Sequence, residues 1–423
     1  MKWRVLAVML VVLACGVIAH GTGPKQDPPT VTDLTGTLGG IAYKIRVPSN
    51  WEVSNRALLV FAHPHQIGGP APWPAPQVPG FEKTLLDMGY ALAGSAFGDS
   101  SKEGVQRMHQ LTTFFRDAVG NPGRTIVWGN SFGGGIALKL IEKYPGIYDG
   151  AIANCAPSAG QLENMDSALA FGLAFDAAFT VSGKGGWLED WGPIGDVRDD
   201  IVVSDVLPYL RTLSIPENQA EWEFVRLVMH VRPEAFWTVD PGTKFPFFQL
   251  QMWKATVLRS AAEREAGGPI AENVGAHYTV DADDAALAAL GLTREWVDER
   301  LAYMNDRANI AADRPARMHL EQWGAPTGDL RRPVLTMHHQ FDGLAYVTNE
   351  SYYGGLVEAA GAEFLLMQTY VKGAPGHCNF APVQYIDTLN AMNAWLDTGE
   401  RPDASFFPAA RFDLTFTPGP WIF

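Results

Sequence analysis

Cysteine is scarce: three residues in 423, at positions 15, 155 and 378, cannot form a disulfide framework that holds the chain together. Charge is sparse as well, at 18% of residues, and the basic sign is the scarcer one. Against 46 Asp and Glu stand 32 Lys and Arg, a net charge of -14 that argues against nucleic acid or an anionic membrane surface as partner. Long charge runs and internal repeats are missing too, so neither an interaction tail nor a solenoid is expected. What the chain has is core material. Hydrophobic residues make up 47%, enough for a packed interior without extended disorder.

One long apolar run exists, Val5 to Ala19, preceded by Lys2 and Arg4, and it reads as the h-region and n-region of a secretory signal peptide over residues 1–21. A membrane span needs about 20 apolar residues, and this run gives way early to His20, Gly21 and a Pro/Gly-rich stretch. No stable span is therefore expected in the mature protein. Ala19 and Gly21 suit cleavage after Gly21, while Val12-Leu13-Ala14-Cys15 resembles the lipobox of bacterial lipoproteins and keeps lipidation at Cys15 open. Either route predicts a secreted, periplasmic or lipid-anchored protein. In an oxidising compartment Cys155 and Cys378 can pair.

The remainder exceeds one ordinary domain and divides by pattern. In the two expected core parts, residues 22–156 and 327–423, short β-rich runs alternate with helical ones from 34 to 156 and again from 333 to the end, which predicts a mostly parallel sheet with helices on both faces. Leu34 to Leu38 and Ala42 to Val47 flank Gly39-Gly40 and read as an antiparallel hairpin at the edge. Ala57 to Ala62, Ala91 to Ser95, Thr125 to Trp128 and Ala151 to Asn154 are nearly all apolar, as strands buried on both faces should be. Val334 to Met337 and Phe364 to Tyr370 resume the series. Between them, from 157 to 326, helical periodicity and tryptophans dominate, with helices expected near Trp222 to Met229, Gln249 to Ala266 and Arg294 to Met304. This stretch is expected to be an inserted helical cap.

The chemistry centres on Gly129-Asn130-Ser131-Phe132-Gly133, a G-x-S-x-G sequence between the strand TIVW and an amphipathic helix. A strand that turns this sharply into a helix leaves no room for side chains beside the serine, so glycine is needed on both sides. A serine hydroxyl is a weak nucleophile until a histidine takes its proton and an acid fixes that histidine's tautomer. In the chain order serine, acid, histidine, Asp342 follows the strand VLTM and His377 follows the strand FLLMQTY. His338 and His339 precede the acid and suit packing or support, and Asp329 and Asp397 suit surface carboxylates. An oxyanion needs two backbone N–H donors. Phe132 supplies one; in the loop His63-Pro64-His65-Gln66 the proline has no N–H, so His65 is the expected second donor and Gln66 its alternative. The side chains of His63 and Gln66 are candidates to line the substrate pocket.

These residues resemble the α/β-hydrolase superfamily across the chain outside residues 157–326, and the resemblance implies that fold and a serine hydrolase without a cofactor or metal. The family often has His-Gly after its third strand, where this chain has His63-Pro64. His377-Cys378 is similar to the histidine-cysteine step of the tannase and feruloyl esterase group, which places a cysteine before its serine where this chain has Asn130. The stretch from Pro333 to Pro402 is similar to secreted bacterial α/β-hydrolases.

The expected substrate is a small-molecule or polymeric carboxylic ester, because an alkoxide leaves without the protonation that an amine requires; peptidase or amidase action is the alternative. A metal-dependent hydrolase could be assembled from His63, His65, His338, His339 and Asp342, but it leaves Ser131 and His377 unused. A binding protein without catalysis would not be expected to keep all three of Ser131, Asp342 and His377. The cap's aromatics, among them Trp187, Trp191, Trp222, Trp237, Phe245, Phe247, Phe248 and Trp253, suit either an apolar pocket or the cap's own core.

Overall fold

Eight strands pair into one sheet: β1 Val31–Leu38, β2 Ile41–Pro48, β3 Ala57–Ala62, β4 Ala91–Ser95, β5 Arg124–Asn130, β6 Gly150–Asn154, β7 Val334–His339 and β8 Leu366–Val371. Their order is β1-β2-β4-β3-β5-β6-β7-β8. β2 runs antiparallel to both its neighbours and every other pairing is parallel. Every residue of β3, β4, β6 and β7 is buried, which is why their sequences read as apolar runs and not as alternation. The hairpin between β1 and β2 turns at Gly39 and Gly40, with φ of 56° and 84°. This computed structural model describes residues 28–421 except 55, 67, 68, 214, 215 and 374. The expected leader, its cleavage point and Cys15 lie outside the described residues. Among those residues, no helix is long and apolar enough to cross a membrane.

Helices α1 Phe81–Asp87, α2 Ser101–Ala118 and α3 Phe132–Lys143 connect the first strands. Between β6 and β7 come α4 Gln161–Val181, α5 Val203–Thr212, α6 Gln219–Val228, α7 Phe247–Trp253, α8 Arg259–Ala266, α9 Asp284–Ala289, α10 Arg294–Asp306 and α11 Arg314–Gly324. α12 Thr348–Ala359 follows β7 and α13 Pro382–Thr398 follows β8. This strand order, with the Gly129–Gly133 turn leading from β5 into α3, is the α/β-hydrolase fold.

The segment between β6 and β7 has a core of its own. Trp222 packs against Phe175, Phe179 and Phe248 at ring-centroid distances of 5.5, 5.1 and 4.5 Å. α4 runs through this core and is apolar nearly all round, so it has no stripe to signal a helix. The single helix expected over 249–266 is α7 and α8 joined by a π-helical turn, Lys254–Leu258.

Candidate active site

Ser131 sits between β5 and α3 with φ 53° and ψ -124°, a conformation that non-glycine residues rarely hold. The flanking glycines make it possible. A Cβ on Gly133 would overlap the Ala62 carbonyl oxygen and come within 2.6 Å of that of His63, and one on Gly129 would overlap the Gly133 carbonyl. The end of β3, the elbow and the first turn of α3 therefore touch backbone to backbone. Asn130, where the tannase and feruloyl esterase group has cysteine, is pinned instead by hydrogen bonds: its amide nitrogen donates to Tyr385 Oη at 2.6 Å, and its oxygen accepts from Asn154 at 3.1 Å.

Three distant residues converge here. His377 Nε2 lies 2.8 Å from Ser131 Oγ, and His377 Nδ1 lies 2.8 and 3.1 Å from the two carboxylate oxygens of Asp342. A carboxylate can only accept, so Nδ1 carries the proton and, in the neutral ring, Nε2 is left to accept from the serine. Asp342 lies in the turn after β7, where Oδ1 also accepts the amides of Leu344 and Ala345 at 2.9 and 3.0 Å. Burial pushes the Asp342 pKa up, but His377 and His338 on either side outweigh it and hold the carboxyl well below its ordinary range.

The relay continues behind the acid. Buried His338 has Nδ1 3.0 Å from Glu350 Oε1 and Nε2 2.8 Å from the Ala345 carbonyl, with Asp342 Oδ2 at 3.5 Å. Burial lowers its pKa, yet Asp342 and Glu350 together push it up to about 10, so the ring is an imidazolium with both nitrogens donating. Glu350 also accepts from Thr336 Oγ1 at 2.6 Å and Gln368 Nε2 at 2.8 Å. His339 is the opposite case. Its ring stacks on Phe380 at 4.5 Å, neither nitrogen has a partner, and burial lowers its pKa to about 4.

The His377 loop is fastened on two sides. A disulfide joins Cys378 to Cys155 at the end of β6, with Cα atoms 5.5 Å apart across 223 residues of sequence. On the other side Asp240, from the loop between α6 and α7, accepts the His377 amide at 3.1 Å and the Asn379 side chain at 2.9 Å. Cys155 and Cys378, like Ser131, have positive φ, 44° and 57°.

Two expected pocket residues do not face the cavity beside Ser131. That cavity, of about 170 Å³, is lined among others by Ser131, His377, His65, Phe132, Trp253 and Lys254. His63 is buried beneath it, stacked on Phe97 at 3.9 Å with Nδ1 2.7 Å from the Pro64 carbonyl, because the first residue past β3 still points into the core. Gln66 closes its own loop by hydrogen bonds to both the amide and the carbonyl of Ala71, so its amide group is occupied. His65 does reach the cavity. Its ring stacks on Phe132 at 4.4 Å, and Nδ1 lies 2.7 Å from Asp99 Oδ1. Of the aromatics expected in a cap, Trp253 lines the cavity, whereas Trp191, Trp222 and Phe248 belong to the hydrophobic core of the segment between β6 and β7. Asp397 pairs with Arg124 and Asp329 with Arg331, as surface carboxylates would.

The five residues of the metal-site reading do not gather. His63 and His65 bind a carbonyl and Asp99, while His338 and Asp342 are joined to Glu350 and His377. Among the described residues, the one group of three side chains close enough to share an ion is Cys155, His377 and Cys378, and its two sulfurs are bonded to each other.

Four residues of this site escape a reading by motif. Asp240 lies in Asp240-Pro241-Gly242-Thr243, which signals only a turn, and it does accept the Thr243 amide at 2.7 Å. Asp99 and Glu350 look like ordinary polar positions of a loop and a helix start. Lys254 sits in an apolar helical run, and the burial that lowers its pKa to about 7 against the pull of Asp342 emerges only from the packed structure.

No family model matches this chain, and no curated protein matches it. Among solved structures, feruloyl esterase B from Aspergillus oryzae is 15% identical with a TM-score of 0.42, covering 88% of this chain and 81% of that one. An esterase from Pyrococcus furiosus is 11% identical with a TM-score of 0.42, covering 90% and 96%. An acylaminoacyl peptidase from Pyrococcus horikoshii is 9% identical with a TM-score of 0.42, covering 90% of this chain and 43% of that one. At these identities and scores nothing about activity passes from them to this chain.

Proposed function

We propose that this chain, an α/β-hydrolase in fold, is an exported serine hydrolase that cleaves carboxylic esters through an acyl-enzyme on Ser131. The observation that carries the reading is the unbroken chain Ser131 Oγ, His377, Asp342, with both contacts at 2.8 Å and the serine at the wall of a cavity. Ser131 Oγ attacks the ester carbonyl as its proton passes to His377 Nε2, and Asp342 stabilises the imidazolium that forms. The amides of Phe132 and His65 take the tetrahedral oxyanion, a role supported by the backbone contact between α3 and the loop after β3. The bond to the alcohol breaks as His377 returns the proton to the leaving oxygen. Water, deprotonated by the same ring, then releases the acid. No cofactor or metal enters this scheme. Residues 157–326 act as the cap that admits substrate, and export through the leader over residues 1–21 accords with the disulfide.

The test is steady-state hydrolysis of p-nitrophenyl butyrate and of the matching anilide. The ester should turn over and the anilide far more slowly, with Ser131→Ala and His377→Ala each losing on the order of 10⁴-fold in kcat and the double variant little more. A Ser131→Ala protein as fast as wild type would overturn the reading, and equal rates on ester and anilide would make the enzyme an amidase.

A further inference from the structure

Lys254 is one of the residues lining the cavity beside Ser131, it is 4% exposed, and among the described residues its Nζ has neither a hydrogen-bond acceptor nor an ion-pair partner. Its Nζ lies over the ring of Tyr346, 4.9 Å from the centroid. Leaving an ammonium dry and unpaired is costly, and burial has already lowered this pKa to about 7. Several other polar groups around the cavity are already engaged. Ser101 Oγ donates to Gln161 at 2.5 Å, and the Asn164 amide donates to the Gly160 carbonyl at 2.8 Å and to Asn349 at 2.7 Å. His65 Nδ1 is held by Asp99, and His377 by Ser131 and Asp342. Trp253, the neighbour of Lys254, also lines the cavity, and its Nε1 is likewise buried without a partner.

The helix places both residues in the cavity wall. α7 passes into α8 through the π turn Lys254–Leu258, and the extra residue per turn brings Trp253, Lys254 and Leu258 to the same wall. Among the described residues that line the cavity there is no Asp or Glu, so an anion that reaches Lys254 Nζ or Trp253 Nε1, both buried in its wall, meets a donor without a partner and no carboxylate of the lining. The negative group acting on Lys254 is Asp342, whose charge is engaged by His377 and His338.

We propose that Lys254, with Trp253, binds a carboxylate carried by the ester, so that the preferred substrates are acidic esters. This rests on the serine-hydrolase reading, which names the reacting atoms, and adds the substrate class. A carboxylate meeting a desolvated ammonium forms a charge-assisted hydrogen bond, and the apolar walls accept the carbon chain between it and the ester. The charge can reside on the acyl side, as in a dicarboxylic hemiester, or on the alcohol side, as in an acylated hydroxy acid.

Binding is measured by calorimetry on the full-length Ser131→Ala protein and turnover on the wild type. The probes are monomethyl glutarate against dimethyl glutarate, and 4-butyryloxybutanoate against its methyl ester. The charged member of at least one pair should bind about tenfold or more tightly and give the higher kcat/KM, and the pair that does so identifies the side that bears the charge. In Lys254→Met the ratio should fall to about one or below; Lys254→Gln, which keeps a donor without the charge, should fall between. Equal or weaker binding of both charged probes by protein with Lys254 intact overturns the proposal, as does a preference that survives Lys254→Met. Turnover of neutral esters without a charge preference removes this inference and leaves the hydrolase reading standing. A charge preference in binding without any turnover does the reverse.

Discussion

His338 and Lys254 are buried ionisable groups that both feel Asp342, and they titrate in opposite senses over the same pH range. The His338 pKa rises from 6.5 to about 10 on folding, so its contribution is fully present below about 6.5 and is lost as pH climbs through 10. The Lys254 pKa falls from 10.5 to about 7, so between those values the unfolded chain holds a proton that the folded chain has shed, and stability rises with pH. In the wild type the two slopes oppose each other. Melting temperatures of Lys254→Met should therefore fall more steeply from pH 7 to 10 than those of the wild type, and those of His338→Asn less steeply. Parallel curves for all three proteins would contradict both assignments. Residues of this kind are the ones a sequence hides. Ser131, Asp342 and His377 are legible because a motif and a chain order mark them, whereas a lysine in a helix ordinarily reads as a solvated face. The placement of His63 and Gln66 away from the cavity has the same source, since a loop's residues show their order but not which of them turn inward.

At the scale of elements, the His377 loop is held between the sheet and the helical segment. The disulfide to Cys155 ties it to β6, and Asp240 ties it to the loop between α6 and α7. Closing a loop of 223 residues should stabilise the fold by a few kcal/mol through the entropy of the unfolded chain. Reduction, or replacement of both cysteines by alanine, should lower the melting temperature and reduce kcat several-fold without abolishing it, because Asp240 still holds the His377 amide. An unchanged melting temperature and kcat would show the bridge to be idle, and two free thiols in the unreduced, unfolded chain would show that it does not form. The buried strands were legible within a few residues, since both faces of each must be apolar. α4 was not, for the same burial all round removes the periodicity that marks a helix. The π turn between α7 and α8 shows no composition of its own and depends on backbone hydrogen bonding that a sequence does not display.

Taken as a whole, the molecule sets a rigid sheet edge against a helical segment with its own aromatic core, and the cavity lies where they meet. A change of period marks residues 157–326 in the sequence, but which aromatics face the cavity depends on packing between helices far apart in sequence. The proposed chemistry depends on one atom, the Ser131 hydroxyl oxygen, becoming the nucleophile. The most direct measurement is reaction of the full-length protein with a fluorophosphonate, followed by intact mass and peptide mapping. One phosphonyl group should be found, on Ser131, with labelling absent in Ser131→Ala and strongly slowed in His377→Ala. Labelling at another residue, or ester hydrolysis that persists at wild-type rate in a protein fully phosphonylated at Ser131, would contradict it.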